Sequence, residues 1–144
     1  MKNRTPNILL SISILIFGVS FFLPSFECNS PMPGWECARI CFMILFEDNS
    51  GSILWLAYHV AFNASNLFMA IVPALALFKR PRKYPIWLRV TQALLFIHVL
   101  SWIVVAPEKW PEGNILIGYY VWVLSMLGAF IGIQLKQNLK AAAS

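Results

Sequence analysis

Two histidines and three cysteines are the residues whose chemistry decides how this sequence is read. His59, Asn63 and Asn66 recur at the i, i+4, i+7 spacing that sets side chains on one face of a helix, and Ala70 and Pro73 continue the stripe. Thr91, His98, Ser101 and Trp102 share a face in a later segment. Both segments lie inside long apolar runs, where a donor or acceptor turned to lipid has no partner. The polar face formed by His59, Asn63, Asn66, Thr91 and His98 is therefore expected to point inward. Counting about 1.5 Å per residue, His59 sits roughly 9 Å and His98 roughly 12 Å from the outer ends of two antiparallel helices, so the imidazoles can meet. Facing imidazoles can ligate haem iron or, with further ligands, a metal. They serve equally in a structural hydrogen-bond network, which needs no cofactor. The network is the expected reading, with no cofactor, and haem on His59 and His98 is the alternative. No Asp, Glu or Lys lies within the runs to relay protons, and no Ser-His-Asp set or carboxylate pair is present there.

Cys28, Cys37 and Cys41 all fall in one loop, which the charge pattern described below places on the oxidising side of a membrane. One disulfide and one spare thiol are expected. A Cys37–Cys41 bond is disfavoured, because residues four apart on a helix have Cα atoms near the upper limit of disulfide reach, so Cys28 is expected to pair with one of the other two. Thiol–disulfide exchange is the catalytic alternative, as in four-helix membrane enzymes that pass electrons from protein thiols to quinone. The spacing here is C-x-x-x-C where those enzymes have C-x-x-C, and the second outer loop carries no cysteine. Trp35 followed by Cys37 and Cys41 in a first outer loop resembles claudins in that point alone, within a far shorter loop and at a different spacing.

The elements that must position these side chains follow from composition. A chain of 144 residues, 59% hydrophobic and 12% charged, with a mean hydropathy of +0.69, is too apolar for a water-soluble domain. The apolar runs do not alternate as barrel strands would, so they are helices. Four are expected to span a membrane, over residues 7–23, 53–78, 86–106 and 114–134. They make a single all-α membrane domain, an antiparallel four-helix bundle whose one sizeable extramembrane piece is an outer loop over residues 26–52. Within that loop the run from Trp35 to Phe46 is too short to span and is expected to lie in the interface or to cap the bundle. The first span has no small-residue cleavage site after it and is expected to be retained. Pro73 is expected to bend the second span.

The net charge of +5 is partitioned along the chain, not spread as a nucleic-acid surface would be. Lys79, Arg80, Arg82 and Lys83 lie between the second and third spans; Lys2, Arg4, Lys136 and Lys140 mark the termini; and all six acids fall in the other two loops. Short Lys/Arg-rich loops stay cytoplasmic, so both termini and the basic loop are expected to be cytoplasmic in a plasma membrane, on bacterial topology an inner membrane. Gly118, Ser125 and Gly132 at heptad spacing, with Gly128 four before Gly132, form a small-residue face for close helix packing. The function expected is binding of another membrane component, in an accessory, protective or assembly role and without catalysis. The partners are the lipid bilayer and another membrane protein or a second copy. A membrane redox protein is the alternative, and a small oligomeric transporter or channel the third reading.

Overall fold

In lipid every backbone N–H and C=O must be satisfied within its own segment, and the apolar runs accordingly close into helices. The computed structural model describes residues 4–27, 29–46, 53–78, 85–109 and 113–141. In chain order its elements are α1 (Arg4–Ser20), β1 (Pro24–Glu27), β2 (Pro31–Pro33), α2 (Gly34–Met43), α3 (Ile53–Phe78), α4 (Ile86–Lys109), β3 (Asn114–Ile115) and α5 (Ile117–Ala141). Three helices, α3, α4 and α5, are long and apolar enough to cross a membrane; α1, at 17 residues, is shorter. The basic loop Lys79, Arg80, Arg82 and Lys83 lies outside the described residues, as does Cys28.

Side-chain contacts fix the helix directions. Leu10 and Ser13 of α1 lie against Gly132 and Gly128 of α5, so these two run antiparallel. Tyr58 on α3 bonds Ser101 on α4, and Tyr119 at the start of α5 donates to the Val99 carbonyl near the end of α4, so α4 opposes both neighbours. At the other end Lys136 of α5 donates to the Ala76 carbonyl of α3 and, across 2.9 Å, to Asn7 Oδ1 of α1. The four long helices thus alternate in direction, and α1 makes its most extensive contact with α5.

The small residues of α5 form the seam. A Cβ added to Gly128 would lie 2.5 Å from Ser13 Oγ, and one added to Gly132 would lie 2.9 Å from Leu10 Cγ. Ser125, fully buried, returns its hydroxyl to the Trp122 carbonyl at 2.6 Å, so it occupies the seam without an unmet donor. Gly118 faces the backbone of Leu23 and Pro24. Phe17, Phe62, Met69, Val99, Trp102, Trp122 and Met126 pack the larger core cluster, and Leu10, Ala76 and Ile133 a smaller one toward the Lys136 end.

The chain is mostly helical, but the all-α expectation is corrected at the end of the bundle opposite Lys136, where β2, β1 and β3 make a three-stranded antiparallel sheet in that order. Pro24 cannot extend α1, and the chain leaves the helix in extended form, with Phe26 opposite both Met32 and Ile115. Pro31 and Pro33 belong to the edge strand β2, where a missing N–H is tolerated. The segment expected to cap the bundle forms α2, which packs on α3 and β1.

A second correction concerns the phase of α4. Thr91 is exposed on its outer face, and Gln92, only 3% exposed, turns inward instead. The inward stripe runs Gln92, Val99, Trp102, at intervals of seven and three, which leaves Thr91 about 100° out of phase.

Candidate functional site: an aromatic cavity beneath the α2 cap

Aromatic residues recur at helical spacing in the sheet-side third of three helices: Trp55, Tyr58 and Phe62 on α3, Trp102 on α4, and Tyr119 and Trp122 on α5. Helical packing brings their rings together. Phe62 lies 5.5 Å from Trp102 and 5.0 Å from Trp122, and Tyr119 lies 5.5 Å from Trp122, in tilted or edge-to-face arrangements. Large rigid rings meeting at these angles do not fill the space under α2 and the sheet. What remains is a cavity of about 230 Å³. Phe26, Met32, Ile40 and Ile44 border it on the cap side, Phe62, Trp102 and Trp122 wall it from the helices, and among the described residues no Asp, Glu, Lys or Arg lines it.

His59 and Asn66 both reach this cavity. His59 is 1% exposed, and its Nδ1 lies 2.9 Å from the Trp55 carbonyl oxygen. A carbonyl only accepts, so the proton is on Nδ1 and Nε2 keeps its lone pair, with no bond to any described residue. Asn66 makes no hydrogen bond with a described residue either. Trp122 Nε1 is a buried donor without a partner, on a residue 5% exposed. Buried polar groups are nearly always satisfied, so an unmatched indole N–H beside a cavity is unusual.

Asn63, also on the expected polar face, does different work. Its amide donates to the Cys41 carbonyl at 3.0 Å and to the His59 carbonyl at 2.9 Å, and so ties α2 to α3. His98 stands apart from the cavity lining. Its Nε2 accepts from Trp102 Nε1 at 3.3 Å, its ring packs on Tyr58 at 4.3 Å, and the Trp102 ring meets His59 edge-on at 5.8 Å. The two histidines are thus neighbours through Trp102. Joint ligation of iron would require the Trp102 bond to break and its indole to leave. Among the described residues no three His, Cys, Asp or Glu side chains converge as a metal site.

Cys37 and Cys41 are free thiols one turn apart on α2, so the structure shows no bond from either to Cys28, the expected partner, which lies outside the described residues. Both thiols line the cavity. Burial pushes Cys37 up to about 11 and Cys41 up to about 12, with the Glu36 charge adding to the first and Cys37 to the second. Neutral thiols are weak nucleophiles.

The sequence reading found His59, Asn63 and Asn66 but overlooked the aromatic wall, whose signal was the i, i+4, i+7 recurrence of Trp55, Tyr58/His59 and Phe62. It set His98 on one face with Ser101 and Trp102, and both bond to it there, Trp102 at the ring nitrogen and Ser101 at the carbonyl. No family model, curated protein or solved structure matches this chain.

Proposed function

We propose that this is a four-span plasma-membrane protein, bacterial inner-membrane in type, with both termini cytoplasmic, that acts by binding another membrane component and not by catalysis. The binding site is the cavity beneath α2. The observation that carries this reading is the cavity itself: about 230 Å³, apolar walls that include six aromatic rings, a lining uncharged among the described residues, and a buried Trp122 N–H with no partner among them, beside His59 and Asn66. Ligand sites combine apolar walls with a few polar groups in this way. The fourth span is α1, which at roughly 25 Å falls only slightly short of the hydrocarbon thickness and packs along α5. Arg4 and Lys136 lie at the end opposite the cap, which agrees with a cytoplasmic side there. The raised thiols of Cys37 and Cys41 weigh against exchange chemistry, and the Trp102–His98 bond weighs against haem.

The test is native mass spectrometry of protein taken from its own membrane in lipid discs. Wild type should retain a small amphipathic molecule beyond bulk lipid. Ile44→Trp, which fills the cavity from the cap side, should lose it while keeping its melting curve. Equal retention by both, or retention by neither, refutes the reading.

A further inference from the structure

We infer that the cavity selects an uncharged ring bearing a hydroxyl group, that is, a membrane-dissolved phenol or cyclic alcohol; this rests on the binding reading above. Among the described residues the lining carries no charged side chain, so a charged guest would lose its hydration with no ion pair from them to offset the loss, and an uncharged guest is favoured. Shape argues for a ring. Phe62, Trp102, Tyr119 and Trp122 present edges and tilted faces around the space, the geometry in which a further aromatic or cyclic group packs best. Size sets the scale: an apolar cavity of about 150 Å³ holds benzene, so 230 Å³ holds one ring with small substituents.

The unmatched atoms argue for the hydroxyl. Trp122 Nε1–H needs an acceptor. His59 Nε2, with its partner nitrogen committed to the Trp55 carbonyl, needs a donor. Asn66 offers both. A hydroxyl oxygen both donates and accepts, so it suits a lining that offers an N–H donor, a ring-nitrogen acceptor and an amide, whereas a carbonyl would leave His59 unmet and a plain hydrocarbon would leave every one unmet.

Thymol and para-cymene differ only by that hydroxyl and serve as probes. Each is equilibrated with lipid discs carrying the protein and with empty discs of the same lipid, and the saturable excess is measured. Thymol should bind at least about tenfold more tightly than para-cymene, the value of one buried hydrogen bond. Trp122→Phe and Asn66→Leu should each narrow that ratio. Asn66→Leu breaks no hydrogen bond with a described residue, so it keeps the test open should Trp122→Phe fail to fold. Equal affinity for the two probes, or a ratio unchanged in Asn66→Leu, overturns the hydroxyl-ring inference and leaves the binding reading standing. If neither probe saturates, the mass spectrum decides. A molecule retained by wild type and lost in Ile44→Trp sinks this inference alone, and no retained molecule sinks both.

Discussion

Gly118→Ala is the sharpest test of how the cap of α2 and the sheet is seated. The added methyl would lie 2.8 Å from the carbonyl oxygens of both Leu23 and Pro24, besides striking Ser25 Oγ. These are backbone atoms, and they cannot swing aside. Leu23 O accepts from Gly34 N at 3.1 Å, and Ser25 O accepts from Leu116 N at 3.0 Å, so a shift of β1 strains the joints to α2 and to α5 together. Overpacking of this kind costs about 1–3 kcal/mol. Alanine in place of glycine also favours the helix by up to about 1 kcal/mol, which partly hides the clash. Gly18→Ala is the control, since a methyl there meets nothing within 4 Å and carries the same helix gain. The difference between the two variants isolates packing and should be about 2–3 kcal/mol, measured by denaturant unfolding in mixed micelles with tryptophan emission as the readout. Gly132→Ala, which presses on the Leu10 side chain at 2.9 Å, should fall between them. Equal stabilities for Gly118→Ala and Gly18→Ala would refute the seating of β1 on α5.

Asn63→Leu removes the bond that ties α3 to the Cys41 carbonyl of α2, together with the bond back to His59 within α3, and should cost about 1–3 kcal/mol, with faster hydrogen exchange in α2 than elsewhere; uniform exchange would contradict the tie. Cys37 and Cys41 should resist alkylation at pH 8, by about a hundredfold and a thousandfold relative to a thiol at the ordinary 9.0, with rates rising as pH approaches 11; rapid labelling of the folded protein would show the thiols uncovered. Because these thiols are raised in the folded state, their contribution to stability is whole below pH 9 and is lost as pH climbs through 11 and 12, so unfolding should become easier in that alkaline window. Reporters fused after Lys140 or within Lys79–Lys83 should read cytoplasmic, and those at Asn49 or Glu112 external; an external reading at Lys140 would sink the charge argument.

The long helices were legible because lipid leaves an apolar run one way to satisfy its backbone, and α3 begins and ends at the expected residues, Ile53 and Phe78. The sheet was not, since Pro24–Glu27, Pro31–Pro33 and Asn114–Ile115 are too short for alternation to register, and their pairing depends on where three helix ends are brought together. Thr91 and Gln92 were transposed for a related reason. An apolar helix facing lipid on one side and protein on the other has no hydropathy contrast to set its phase, and only Val99 and Trp102, once packed, show which side is inner. His59 and Asn66 could be placed on a face, whereas the cavity they reach is a remainder left by ring shapes, which no single segment encodes.

The pairing of α1 with α5 also bears on how the protein is made. α1 leaves the ribosome before α3 and α4, and its principal neighbour α5 follows them, so Ser13 and Leu10 wait for Gly128 and Gly132 until three further helices, α2 to α4, have been made. Lys136 then joins α1 and α3 in a single step, through Asn7 and the Ala76 carbonyl. Until that clasp forms, the nascent chain is an open ring with its glycine-matched surface bare to lipid and to insertion factors. Assembly is therefore governed by late closure between sequence-distant helices, the slow kind of contact, and a chain halted before α5 has no seam on which to fold.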